Sequence, residues 1–161
     1  MANLISFYLD TGPDSEGRTL DEIWRMSDEE LMETHDVVQW LFPLTEPSKF
    51  NPKSPVLTEK QIAAFRDDAR LQENLRRSFG RFMQVFGLVY DAGEVRQTRK
   101  LDIWMRLNHN WLRFTRILKS LTMLGLNDEA MAFFRFLEKK LGNVPSMDYW
   151  RKAVGLEKRR I

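Results

Sequence analysis

The stretch Leu107–Leu124, which reads LNHNWLRFTRILKSLTML, has the clearest periodicity in the chain. Its apolar residues recur every three or four positions, which places them on one side of an α-helix. The inward positions are Leu107, Trp111, Phe114, Leu118 and Leu121, widened by Ile117 and Leu124. The stretch therefore predicts a long amphipathic helix with one buried face, and Gly125 predicts where that helix ends.

Segments on either side of this helix show the same spacing. Thr58 and Gln61 form a capping-box pattern that predicts a helix over 59–86, with a break near Asp67–Asp68. Further capping residues predict four more helices, which begin at Thr19, Ser27, Asn127 and Ser146. The second of these four ends before Pro43, because proline cannot continue a helix.

Strand signals are weak. The chain contains no Asn-Gly or Asp-Gly hairpin turn, and Phe7–Leu9 is the only segment that suits an extended strand. We therefore predict an all-α fold, in which 1–161 forms a single globular domain of about six or seven helices packed as an irregular bundle.

The basic tail 155–161 is expected to fray. Leu9–Arg18 and Pro43–Leu57 predict loops, the second favoured as a wrap over the core rather than a lid.

Composition excludes several classes of protein. The 161 residues include no cysteine, which excludes disulfide scaffolds, thiolate metal sites and a thiol nucleophile. No uncharged run approaches the roughly 20 residues that span a bilayer. The first residues meet Asp10 without a basic region, which is not the pattern of a signal peptide. We therefore expect a soluble, cytoplasmic protein with no integral membrane segment.

Charge is unevenly distributed along the chain. The overall net charge is +2, but residues 1–36 hold ten acids and two bases, net −8. Residues 96–119 hold seven bases and one acid, net +6, and residues 151–161 hold five bases and one acid, net +4. Either the acidic and basic segments compensate each other within the protein, which is the favoured interpretation, or the basic ones face an anionic partner.

The polar side of the 107–124 helix carries a specific set of residues. The members of this polar stripe and its flank are His109, Arg113, Arg116, Ser120 and Asn110. Two guanidiniums and an imidazole on adjacent turns repel each other unless something negative compensates them. A phosphate, a carboxylate, nucleic acid or the acids of residues 1–36 can do so. The stripe therefore predicts either an anion or carboxylate site or, as the favoured interpretation, a solvated basic face or internal ion pairs.

The helix before Pro43 carries a second polar group. His35 and Gln39 lie one turn apart, and Trp40 lies beside them. Two interpretations stay open: these residues line a polar groove, or His35 and Gln39 form a half-buried hydrogen-bonded pair, which is favoured.

Catalytic and cofactor patterns are absent from the sequence. His35 and His109 are the only histidines and no HExxH spacing occurs, so we expect no metal site. The chain also lacks GxSxG, a Walker loop and GxGxxG. We therefore assign no catalytic residue and no cofactor, and these patterns do not support an enzyme.

Two longer motifs resemble those of one family. Residues 34–47, THDVVQWLFPLTEP, resemble the H-x-x-[IV]-Q-W-L-F-P-L-x-E-P signature of the opioid growth factor receptor conserved region. Residues 108–126, NHNWLRFTRILKSLTMLGL, resemble its second segment, and the resemblance covers roughly 3–150. It implies an intracellular receptor for the pentapeptide Met-enkephalin, nuclear or perinuclear in vertebrates, where long C-terminal regions follow. It implies no catalytic role.

The residues and the resemblance together predict a ligand-binding protein. We expect a small anionic ligand or short peptide to lie in a polar groove between the 27–42 and 107–124 helices, with the 43–57 loop closing over it. The expected binding residues are His35, Gln39, Trp40, His109, Asn110, Arg113, Arg116 and Ser120.

Two other functions stay open. The first is a nucleic-acid-binding protein that uses 96–119 and 151–160. Trp104 and Trp111 interleave with arginines as in single-strand binders, although packing in the core is the favoured explanation of Trp111. The second is an enzyme that acts on a phosphorylated small molecule.

Overall fold

The structure is a computed structural model that describes residues 2–104, 110–142 and 144–156. The chain divides into two compact units, Met1–Val85 (unit 1) and Phe86–Ile161 (unit 2). The single domain expected over 1–161 stays a prediction. No helix among the described residues combines the length and the apolar character that crossing a bilayer requires.

The described part of unit 1 is built from six helices. Their bounds are α1 (Leu4–Tyr8), α2 (Leu20–Trp24), α3 (Asp28–Glu33), α4 (His35–Leu41), α5 (Glu59–Asp67) and α6 (Ala69–Val85). Both expected capping boxes are present, Ser27 with Glu30 and Thr58 with Gln61. The expected break in the long helix falls at Asp68, where the backbone is extended.

Two expectations for unit 1 were wrong in detail. The segment Phe7–Leu9 is not a strand but the end of α1, because Asn3 Oδ1 accepts a backbone N–H and caps that helix (3.0 Å). The helix predicted over 27–42 is divided at Thr34, whose backbone is extended and whose hydroxyl donates to the Glu30 carbonyl (2.6 Å). No glycine or proline marks this division, so the apolar spacing alone did not reveal it.

The proline-rich loop 43–57 closes back on itself. Leu44 and Val56 form an isolated parallel bridge, and the Leu57 N–H donates to the Leu44 carbonyl (2.9 Å). Leu44 and Leu57 are both buried. The two ends of the loop are therefore held on unit 1, as the favoured prediction of a wrap requires.

A buried hydrogen-bond network centres on Tyr8. Its hydroxyl donates to the Leu41 carbonyl and lies 2.9 Å from Ser78 Oγ. Trp24 Nε1 donates to the same Ser78 Oγ (3.0 Å), so this network joins α1, α2, α4 and α6. Burial raises the pKa of Tyr8 well above its usual range, and the hydrogen bond with Ser78 offsets only part of this rise. The site therefore holds the neutral phenol.

The network predicts a stability loss at alkaline pH. Below the ordinary tyrosine pKa of about 10, Tyr8→Phe is expected to lower the free energy of unfolding by about 1–2 kcal/mol, because the Leu41 carbonyl loses its donor. Above that pH the unfolded Tyr8 ionises while the folded Tyr8 stays neutral, which favours unfolding of the wild type. The difference in free energy of unfolding between the wild type and Tyr8→Phe, measured by urea titration, should therefore shrink as the pH rises above about 10. A constant gap would contradict this account.

The described part of unit 2 contains a hairpin and three α-helices. Its elements are β1 (Leu88–Asp91), β2 (Glu94–Gln97), a 3₁₀ turn (Asp102–Trp104), α7 (Asn110–Met123), α8 (Asn127–Leu141) and α9 (Met147–Ala153). The positions of α7, α8 and α9 confirm the predicted helices. The predicted caps were wrong for two of them, because Asn127 is the first residue of α8 rather than its cap, and the Ser146 side chain makes no capping hydrogen bond to α9. The start expected at Leu107 lies outside the described residues.

The hairpin was not predicted. β1 and β2 pair antiparallel, with Asp91 opposite Glu94. Ala92 and Gly93 connect them with positive φ angles of +51° and +81°, as in a type I′ turn. Alanine rarely adopts a positive φ, so the Ala-Gly pair gave no recognisable turn signal. The chain is mostly helical, as expected, and this small sheet is an addition to the predicted all-α fold.

Aromatic packing forms the core of unit 2. The Phe114 ring is fully buried, and its centroid lies 4.9 Å from that of Phe86, 5.2 Å from Trp104 and 5.5 Å from Phe133. Trp104 and Trp111 are each 5% exposed. Core packing therefore explains both tryptophans, and neither presents its ring for base stacking.

Candidate functional site

The polar stripe of α7 is largely buried. Asn110, Arg113 and Ser120 are 3%, 6% and 0% exposed, and Arg116 is half-buried. Arg113 Nη1 donates to Asn110 Oδ1 (3.1 Å). Burial lowers the pKa of Arg113 to about 10, because a desolvated guanidinium is less stable in its charged form. A solvated face therefore does not describe these residues. His109 lies outside the described residues.

The sequence-predicted residues of unit 1 have separate roles. His35 is exposed at the start of α4. Gln39 holds the 43–57 loop, since its Nε2 donates to Ser48 Oγ (3.2 Å) and its Oε1 accepts from Asn51 Nδ2 (2.7 Å). Gln39 is thus half-buried and hydrogen-bonded to the loop. The favoured expectation of a half-buried pair was wrong for His35, which is exposed. The predicted groove shared with α7 stays a prediction.

Trp40 lines a cavity of about 550 Å³ in unit 1. The loop segment Pro52–Val56 forms part of its wall, together with Ser15 and Gln61. Trp40 Nε1 and Ser15 Oγ are both buried without a hydrogen-bond partner among the described residues. Trp40 is 3% exposed, so it contributes to packing as well as to the wall of this cavity.

Unit 2 holds a cleft of about 560 Å³ between β2 and α8, here called the β2–α8 cleft. The lining residues are Gly93, Glu94, Val95, Arg96, Gln97, Ala132, Arg135, Phe136, Lys139 and Lys140. Its volume lies within the range of small-ligand pockets, about 300–1,000 Å³. The β2–α8 cleft is a candidate site that was not predicted from the sequence.

Positive charge dominates the β2–α8 cleft. Four of its lining residues are cationic, Arg96, Arg135, Lys139 and Lys140, against one carboxylate, Glu94. Arg96 Nη2 lies 3.1 Å from Asp91 Oδ2. The three cations of α8 are exposed and form no ion pair with another described residue. Arg135 and Lys139 lie one turn apart and repel each other, so an anion between them lowers the electrostatic energy.

Three apolar side chains, Val95, Ala132 and Phe136, also line the cleft. Val95 and Ala132 are 8% and 5% exposed. The half-buried Phe136 is fixed by Trp104, whose ring it meets edge-on at a centroid distance of 5.2 Å. A ligand with both a carboxylate and apolar side chains therefore finds a partner for each. The only sequence feature that could have pointed to this cleft is the spacing of Arg135, Lys139 and Lys140 along one helix. Basic residues with this spacing are common on helices, so the sequence analysis did not single them out.

Acids of residues 1–36 find partners within unit 1. Arg18 bridges two of them, with its Nη2 2.7 Å from Asp14 Oδ2 and 2.8 Å from Asp36 Oδ2. Two further pairs join Arg25 to Asp21 and Arg81 to Asp28, each at 2.8 Å. These four carboxylates are therefore paired with arginines that lie outside 96–119 and 151–161, and the favoured compensation between the acidic and basic segments stays a prediction.

The mostly helical fold and the motifs that it carries define a family of conserved domains. The chain belongs to the opioid growth factor receptor (OGFr) conserved region, whose sequence profile matches residues 1–161. It is 34% identical over 146 residues to the rat protein "Opioid growth factor receptor" and 32% identical over 146 residues to the human one. It is 33% identical over 123 residues to the rat "Opioid growth factor receptor-like protein 1".

These alignments cover the chain far better than they cover the relatives. The first two take in 81% of this chain but 25% and 21% of the receptor, and the third takes in 71% of this chain and 26% of the relative. The chain therefore spans about a quarter of the length of these proteins. No solved structure matches this chain.

Proposed function

We propose that this protein is a binding module for a short peptide with a free carboxylate, and that the β2–α8 cleft is its site. The observation that carries the proposal is a cleft whose lining combines four cations with apolar side chains. Relatives named as receptors for a growth factor agree with a ligand-binding role. The resemblance of the motifs suggests Met-enkephalin as the first peptide to test.

The chemistry of the cleft favours a peptide over a purely inorganic anion. Arg135 and Lys139 supply cations for a carboxylate, and guanidinium groups bind carboxylates through paired hydrogen bonds. Val95, Ala132 and Phe136 add an apolar surface that phosphate alone does not use. Nucleic acid is a weaker candidate for the cleft, because the aromatic residue in its described lining, Phe136, packs against Trp104 and does not present an exposed ring for base stacking.

The α7 stripe stays a second candidate site for the same class of ligand. This proposed site combines the stripe with residues of α4, as expected from the sequence. Its members are His35, Gln39, Trp40, His109, Asn110, Arg113, Arg116 and Ser120. The buried, desolvated guanidinium of Arg113 supports this alternative, because a carboxylate gains more from a cation that water does not screen. The two sites share no residue, so substitutions distinguish them.

A titration of fluorescently labelled Met-enkephalin with the full chain, at low and moderate salt, tests the proposal. We expect saturable binding that weakens when the peptide carboxylate is amidated, because the amide removes the negative charge that the cleft recognises. Binding that is equal for the acid and the amide, or no saturation at high protein concentration, contradicts the proposal. Loss of binding in Arg113→Gln, with binding retained in Arg135→Gln, would move the site to α7.

A further inference from the structure

In the hairpin, β1 pairs with one edge of β2, and the other edge of β2 has no partner strand among the described residues. The two strands are paired from Leu88 opposite Gln97 to Asp91 opposite Glu94. In a two-residue hairpin the pair next to the turn exchanges both backbone hydrogen bonds, and such pairs alternate along the ladder. Glu94 and Arg96 therefore direct their N–H and C=O groups towards β1.

Val95 and Gln97 direct their backbone groups the other way. The Thr98 N–H donates to the Gly87 carbonyl (2.7 Å), which continues the same alternation beyond the strands. Within residues 2–104, 110–142 and 144–156, no backbone hydrogen bond uses the outward N–H or C=O of Val95 or Gln97. An unpaired strand edge of this kind is a template for one more strand.

The β2–α8 cleft runs along this edge. Its lining includes β2 residues whose side chains lie on both faces of the hairpin, Glu94 and Arg96 on one and Val95 and Gln97 on the other. It includes no residue of β1. A cleft bounded in this way lies beside the strand, opposite β1, with α8 as its other wall.

We infer that the ligand binds as an extended peptide that adds a third strand to the free edge of β2, along the β2–α8 cleft. This inference rests on the proposed function. β2 (Glu94–Gln97) is about 13 Å long, at about 3.3 Å per residue, which matches about four residues of a short peptide. Backbone hydrogen bonds to Val95 and Gln97 supply affinity, and alternate peptide side chains meet the apolar residues of the cleft lining. The cations of α8 then hold the carboxylate.

Methylation of the peptide backbone tests this binding mode. An added strand turns every second N–H towards β2, so two Met-enkephalin analogues are compared, N-methylated at the second and fourth residues or at the third and fifth. We expect one analogue to lose at least about tenfold in affinity, because two hydrogen bonds are lost, and the other to stay within about threefold. Equal effects of the two analogues would overturn the strand-addition model.

The outcomes separate this inference from the proposed function. If unmodified Met-enkephalin does not bind, the proposed function fails, and the inference that rests on it fails with it. If it binds and the two analogues behave alike, the function stands and the binding mode is wrong. A second readout comes from amide hydrogen exchange by NMR: saturation should slow exchange at Val95 and Gln97 and leave Glu94 and Arg96 unchanged. No change at Val95 and Gln97 with peptide bound would also overturn the inference.

Discussion

The double substitution Arg135→Glu, Lys139→Glu is expected to weaken Met-enkephalin binding by about 30-fold or more, which corresponds to about 2 kcal/mol. The two side chains are exposed cations one turn apart on α8, and both line the β2–α8 cleft. Reversing the charge of both side chains replaces their attraction for the peptide carboxylate with repulsion. Because both are exposed, added salt should reduce the difference between variant and wild type.

A control with the same change in net charge makes this test specific. Lys60 and Arg70 are exposed cations of unit 1, on α5 and α6, and neither lines the cleft. The variant Lys60→Glu, Arg70→Glu should bind the peptide with nearly wild-type affinity. If it loses as much affinity as the cleft variant, long-range charge rather than the cleft governs binding. Circular dichroism of both variants checks that the helices are intact.

Arg18→Met is expected to lower the free energy of unfolding by about 2–3 kcal/mol. Asp14 is fully buried at its carboxylate, which accepts the Arg18 Nε–H (2.8 Å) and the N–H groups of Glu16 and Arg18 (2.9 Å each). Burial lowers the pKa of Arg18, but hydrogen bonds and charges from Asp36 and Asp14 outweigh it and raise the pKa overall. Methionine keeps the aliphatic stem and leaves Asp14 without its cation.

An exposed ion pair provides the matched comparison for Arg18. Arg25 Nε lies 2.8 Å from Asp21 Oδ2, and the two side chains are 79% and 44% exposed. Arg25→Met should therefore cost less than about 1 kcal/mol in the same urea titration, since water already screens both charges. Equal losses for Arg18→Met and Arg25→Met would show that the buried carboxylate at Asp14 does not depend on Arg18.

Local signals in the sequence were sufficient for most helices of the chain. The capping boxes at Ser27 and Thr58 were found where the pattern placed them, because such a box is made by residues three positions apart. The break in the long helix at Asp68 also falls where the sequence predicted it. The division at Thr34 was missed, since a single extended residue leaves the apolar spacing on both sides unchanged.

Burial of the predicted site residues was the part that sequence alone left undecided. A helical wheel places Arg113 and Ser120 on the polar side of the 107–124 segment, yet both are buried in the folded protein. Periodicity separates apolar from polar positions; it does not say whether a polar face meets water or other protein atoms. The interpretation of Trp104 and Trp111 as core residues needed the same information, which the ring contacts supplied.

The family, the helical class and the position of most helices could be predicted from the sequence, because these depend on residues close together in the chain. The tertiary structure decided the β2–α8 cleft, since its walls come from Gly93–Gln97 and from Ala132–Lys140, two segments brought together only by packing in unit 2. It also decided that β2 exists, because the Ala92–Gly93 turn needs positive φ angles that the sequence does not announce.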